Sequence, residues 1–219
     1  LAILDDDSIA HPRLEFVCTV SEEVGMEGAS SIDVSMLKGK KLLNMDSEEE
    51  GIMLASCAGG CSSRVTLKLD KNKVTGTKLS ITLSGLTGGH SGVEIDKGRG
   101  NANVLMSRIL RDVVADNNVY LAAFNGGRKD NAIPRECMAE IIVAADKAAD
   151  VKAAIENTAK EIKEEFATSD ADLKCVVDIS EGCSAEAVTY EDSIRAVSLI
   201  QSLPNGIMRM SQDIDNLVE

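Results

Sequence analysis

The chain reads as an α/β and α+β protein: a partial parallel α/β segment followed by a ferredoxin-like domain of β-α-β-β-α-β order. Three observations predict this. Short apolar runs flank a small-residue helical stretch near the start. After a Gly-rich connection the pattern changes to strict alternation. Two amphipathic stretches with helical spacing then interleave with further alternating runs.

In chain order, residues 14–20 (LEFVCTV) and 41–46 (KLLNMD) are strand-type runs, and 27–37 has a helix-like register between them. This strand–helix–strand unit is too small to close its own sheet. Both runs lead into carboxylates, Glu22 and Glu23 after the first and Asp46 at the tip of the second. Open α/β sheets collect ligands at the carboxyl ends of their strands. Residues 51–61 (GIMLASCAGGC) read as a connection between domains. The expected division is 1–60 and 61–219, with a ferredoxin-like core over about 78–182.

Within the second part, 64–69 and 78–83 alternate. Residues 101–116 place Leu105, Ile109 and Val113 on one helical face. A strand is predicted over 119–124, a turn at Asn125-Gly126-Gly127, and another alternating run over 136–143. Residues 146–166 form an amphipathic helix with Val151, Ile155, Ile162 and Phe166 in one stripe. Leu173, Cys175, Val177 and Ile179 line one face of a final strand. Residues 189–203 look helical, and Pro204-Asn205-Gly206 turns into a strand expected over 207–211.

With 219 residues the chain can bury a real core. Lys and Arg total 23 against 36 Asp and Glu, a net charge of −13, which disfavours nucleic acid and anionic lipid as partners. No apolar run approaches the roughly 20 residues of a membrane span, and no signal-type segment opens the sequence. Six cysteines without a scaffold pattern point to reduced thiols and a cytoplasmic setting. Cys57 and Cys61 lack the second Cys/His pair that a zinc finger needs. The opening LAILDDD resembles the tail of a helix already under way, so the chain is expected to begin inside a longer gene product.

The chemistry concentrates in four short segments. Adjacent Glu22 and Glu23 permit a division of labour in which one carboxylate ligates a metal and the other acts as general base on a metal-activated water. Asp46 adds a second hard oxygen ligand. His90 is framed by glycines in Gly88-Gly89-His90-Ser91-Gly92, where backbone amides approach a ligand closely. Asn131 precedes Ala-Ile-Pro at the start of a strand.

Taken in this order, TVSEEVGMEGA (19–29), LLNMDSEEEG (42–51), CAGG (57–60), GLTGGHSGVEIDKGRGNAN (85–103) and NAIPRE (131–136) resemble the aminoacyl-histidine dipeptidases, relatives of carnosinases and aminoacylases. The resemblance covers nearly the whole chain. It implies a dipeptidase using two zinc ions, with cobalt or manganese as alternatives. Glu22 matches the family's general base, Glu23 a ligand of one zinc, and Asp46 a ligand of the other. His90 matches a lid histidine that steadies the substrate or its tetrahedral intermediate, and Asn131 a lid asparagine that contacts substrate. The ferredoxin-like part matches the lid, through which a homodimer is expected. Arg209 sits in a family-like block (LPNGIMRMS) without an assigned role.

The departures carry equal weight. The family's site needs an upstream His-x-Asp, a bridging Asp and a C-terminal His, whereas this sequence has only His11 and His90. Two of the roughly five protein ligands of a paired zinc site are present. The chain alone is therefore expected to lack peptidase activity. The alternatives are a non-catalytic dimerisation or interaction module, and an acylase or deacetylase of the same broad group.

Overall fold

A computed structural model describes residues 2–45, 50–53, 59–115, 118–215 and 217–218. It divides into two compact units, Leu1–Ser63 and Arg64–Glu219.

The first unit holds α1 (Ala2–Asp5), a 3-10 turn at Glu22–Val24, α2 (Glu27–Ser31) and a second 3-10 turn at Val34–Met36. The apolar runs 14–20 and 41–45 are not strands here, because no strand among the described residues pairs with them. An apolar run becomes a strand only when neighbouring N–H and C=O groups complete its ladder. Unpaired, these runs leave Phe16 65% and Leu42 90% exposed. The helix expected over 27–37 is likewise split into α2 and the second turn. The Glu15 carboxylate ties the unit together by accepting from the backbone N–H groups of Lys38 (2.9 Å) and Gly39 (2.8 Å). Those bonds, Gly39 first, hold the Glu15 carboxyl below its ordinary value. Asp46 and Cys57 lie outside the described residues.

The second unit contains β1 (Lys71–Ser84), β2 (Gly89–His90), α3 (Ala102–Val114), β3 (Tyr120–Gly126), β4 (Ala132–Ile133), β5 (Cys137–Val143), α4 (Ala148–Glu165), β6 (Lys174–Val188) and α5 (Tyr190–Ser202). The main sheet runs β3-β5-β1-β6 with every neighbouring pair antiparallel. With α3 and α4 as the crossovers, this is the ferredoxin-like plan that the alternation predicts. The separate β2/β4 ladder was not legible in the pattern.

Two strands are longer than the alternation suggests. β1 and β6 continue past the end of β5, whose last partner pair is Thr77 with Val143, out to Lys71 with Val188. The predicted strand over 64–69 does not form. β6 ends at Val188, and the Thr189 side chain already caps α5, so no strand remains for 64–69 to pair with. The strand expected over 207–211 reduces to an isolated bridge between Met210 and Val218.

The core lies between one face of the sheet and the helices. Leu79, Ile81 and Leu83 of β1 and Ala139 and Ile141 of β5 pack against Leu105, Ile109 and Val113 of α3 and Val151, Ile155 and Ile162 of α4. The opposite face of the sheet carries a Lys78–Glu140 ion pair at 2.8 Å beside a smaller apolar cluster of Ala122, Ile142 and Ala187. The Asn101 side chain caps α3 by accepting from the Asn103 N–H at 3.0 Å and the Val104 N–H at 3.4 Å.

Candidate functional site

The five residues singled out from sequence fall into both units. Glu22 and Glu23 stand on the 3-10 turn between Ser21 (φ 60°) and Gly25 (φ 106°), and not at the end of a paired strand. Successive side chains on a 3-10 turn diverge by roughly a third of a turn, so they do not face opposite ways as on extended backbone. The turn closes on itself: the Met26 N–H reaches the Glu22 carbonyl at 3.2 Å and the Gly28 N–H reaches the Val20 carbonyl at 3.1 Å. A Cβ on Gly28 would lie 2.5 Å from the Val20 backbone, so this close approach requires glycine. Both glutamates are exposed.

Among the described residues no group of three or more His, Cys, Asp or Glu converges to hold a metal. Two neighbouring carboxylates on an exposed turn do not compose a metal centre by themselves.

In the second unit, His90 and Asn131 come from loops far apart in sequence and meet at one ladder. His90 stands opposite Ala132 and Gly89 opposite Ile133, and the Ser91 N–H donates to the Asn131 carbonyl at 3.0 Å. The His90 ring is fixed from its own loop. Its Nδ1 accepts from the Gly92 N–H at 2.9 Å and the Val93 N–H at 3.3 Å. The neutral ring therefore carries its proton on Nε2, which becomes its hydrogen-bond donor. A Cβ on Gly92 would sit 3.1 Å from the imidazole Cε1, so a glycine there lets the ring lie against its own backbone.

Charged side chains that sequence reasoning did not single out support this loop. Glu94 accepts the His90 N–H at 2.9 Å and pairs with Arg99 at 2.9 Å. The His90 N–H, and then Arg99, hold the Glu94 carboxyl below its ordinary value. Arg99 also donates to the Gly88 carbonyl at 2.6 Å, and Arg135 donates to the Leu86 carbonyl at 3.1 Å. Glu94, Arg99 and Arg135 all lie inside the resemblance-bearing blocks. Their mixed charge around a Gly-Gly turn was the available signal.

Beside the ladder opens a cleft of about 490 Å³, lined by Ser91, Asn101, Asn103, Lys129, Pro134 and Asn205 among others. Asn205, in the Pro-Asn-Gly turn, accepts from the Asn101 side-chain amide at 2.7 Å, which brings the segment after α5 to the cleft wall. The Asn103 side chain packs over Gly126, where a Cβ would collide with its Oδ1. The cleft thus presents amides, a hydroxyl and the charged side chains of Arg128, Lys129 and Asp130. Such groups suit the amide and carboxylate of a short peptide.

Residues 81–170 match the peptidase dimerisation domain. The chain is 40% identical over 222 residues to the cytosol non-specific dipeptidase of Escherichia coli (strain K12), which covers 100% of this chain and 45% of that protein. It is 22% identical over 218 residues to the uncharacterized protein YqjE of Bacillus subtilis (strain 168), covering 97% of this chain and 53% of that protein. Among solved structures, the aminoacylhistidine dipeptidase of Vibrio alginolyticus superposes with a TM-score of 0.67 at 29% identity, covering 92% of this chain and 41% of that one. The chain spans about half the length of the curated relatives it matches.

Proposed function

We propose that the chain, whose residues 81–170 match the peptidase dimerisation domain and which is similar over its whole length to a dipeptidase, acts within a zinc-dependent dipeptidase that hydrolyses Xaa-His dipeptides. Glu22 serves as general base, Glu23 and Asp46 as ligands of the two metal ions, and His90 and Asn131 as substrate contacts from the lid. The bound metal supplies a water acidic enough to act as nucleophile near neutral pH. Cobalt or manganese are the alternative ions. The protein works in the cytoplasm as a homodimer joined through the lid, without nucleic acid or membrane as partner.

The observation that supports this most is the convergence of His90 and Asn131 on one ladder, with the His90 ring held in the tautomer that donates from Nε2. An Nε2–H donor suits a peptide carbonyl or the oxyanion that forms from it.

Alone, the chain is inactive: its sequence holds two histidines, and His11 is exposed with Nδ1 2.7 Å from the neighbouring Pro12 carbonyl. A hydrolysis assay on an Xaa-His dipeptide with added zinc tests this, and turnover by the purified chain contradicts it. The gene product that carries this sequence should cleave the same dipeptide and lose that activity in Glu22→Gln. Cleavage of N-acyl amino acids in its place would favour an acylase.

The incomplete donor set among the described residues favours a second reading, a dimerisation module with no chemistry of its own. A zinc titration separates the two, since stoichiometric uptake belongs to an enzyme-like site.

A further inference from the structure

The carboxylate of Asp170, in the turn after α4, is 0% exposed and sits at the base of the loop that presents His90. Its Oδ1 accepts from the Thr87 N–H at 2.8 Å. Its Oδ2 accepts from the Gly100 N–H at 2.8 Å and from the Ser169 hydroxyl at 2.8 Å. Thr87 and Gly100 are the two feet of the loop: one precedes Gly88-Gly89-His90, the other precedes the α3 cap Asn101. The Thr87 hydroxyl donates back to the Ser169 carbonyl at 2.7 Å, so the contact is reciprocal. Gly100 is close-packed here, since an added Cβ would lie 2.9 Å from Leu86 Cδ2 and 3.0 Å from Leu105 Cδ1.

A buried carboxylate is costly unless its lone pairs are taken. Two backbone N–H groups and a hydroxyl satisfy this one, and each is a charge-assisted bond of the stronger kind. Both backbone donors belong to the His90 loop. The carboxylate therefore fixes the separation of the loop's feet. The ring-to-backbone bonds of His90 to Gly92 and Val93 lie within the loop clamped in this way.

We propose that Asp170 is a positioning residue for His90: by clamping Thr87 and Gly100 together it sets the loop geometry in which the His90 Nδ1 is an acceptor and Nε2 the donor. The value of this geometry for a substrate rests on the function proposed above. The clamp itself does not.

Asp170→Asn tests it on the whole chain. The carboxamide keeps the size but sets an NH2 against one of the two backbone donors. Imidazole 15N spectra report the tautomer of His90 directly, without substrate. The expected result is loss of the single Nε2–H tautomer signature, and Gly92 amide exchange faster by about tenfold or more, while β1 and β5 amides stay protected. A merely structural role would lower the melting temperature and leave the His90 pattern unchanged in the folded variant, which overturns the proposal. Should the variant not fold, wild-type exchange decides. A shared opening of Thr87, Gly100 and Gly92 supports the clamp, and a Gly92 amide that opens independently of the other two overturns it. Absence of dipeptide hydrolysis by the intact gene product would sink the functional reading and leave these spectra unaffected.

Discussion

Ser91 donates its backbone N–H to the Asn131 carbonyl at 3.0 Å, next to the two residue pairs, Gly89 with Ile133 and His90 with Ala132, that make up the β2/β4 ladder. So short a ladder depends on the backbone of its one glycine, Gly89. Gly89 has φ +138°, and a Cβ there would run into the Arg99 guanidinium and the Glu94 carboxylate. Gly89→Ala is expected to lower stability by about 1 kcal/mol or more and to shift the amide signals of His90, Ser91 and Asn131 together. Urea unfolding with heteronuclear NMR checks both, and an alanine variant with native shifts would show that the glycine is dispensable.

Leu83 of β1 is 0% exposed and is flanked in register by Cys137 on β5 and Cys175 on β6. It sits where the sheet meets the helices. Leu83→Ala should cost about 2–5 kcal/mol in urea unfolding, through lost transfer energy and the cavity left behind. A cost below about 1 kcal/mol would mean that the core is looser than its packing indicates.

Those two cysteines should also be chemically silent. Burial pushes the Cys137 thiol up to about 12 and the Cys175 thiol up to about 11. The thiolate is the reactive form. Iodoacetamide at mildly alkaline pH, followed by peptide mass spectrometry, should label the exposed Cys18 and Cys61 and spare Cys137 and Cys175 until the chain is unfolded. Native-state labelling of Cys137 would contradict its burial.

The α3–α4 contact carries a pH signature. Arg108 grips Glu165 through two bonds, at 2.7 and 3.2 Å. The Arg108 hydrogen bond holds the Glu165 carboxyl below its ordinary value. With the folded value depressed, the stabilisation is present above the unfolded carboxylate value and is lost as pH falls through the folded one. Both side chains are partly exposed, 35% and 50%, so solvent screening limits the pair to about 0.5–1 kcal/mol. Glu165→Gln should lose that amount near neutral pH, less in high salt and nothing in acid. A wild-type minus variant difference that stays constant into acid would point to some other cause.

The second unit was the readable part of the sequence because its elements bury one face each. The Val151–Ile155–Ile162 stripe of α4 and the Leu79–Ile81–Leu83 alternation of β1 each point to a single core, and periodicity reports that directly. What the pattern missed was set by partners. β1 reaches back to Lys71 because β6 continues beside it, and 64–69 fails as a strand because nothing remains to pair with it. The runs 14–20 and 41–45 have strand composition, but no neighbouring backbone among the described residues turns them into strands. Gly- and Pro-framed contexts singled out His90 and Asn131, and the structure sets their segments side by side. Asp170 was not: an acid after a Ser in a polar turn looks solvated, and its partner Thr87 lies 83 residues away.

Whether the β2/β4 ladder reads peptides is best decided by an NMR titration of the chain with an Xaa-His dipeptide. With His90 and Asn131 as substrate contacts, shifts should concentrate at residues 88–93 and 130–134 and disappear in His90→Ala. Shifts scattered over the sheet, or an unchanged response in His90→Ala, would contradict the assignment of this ladder to the substrate.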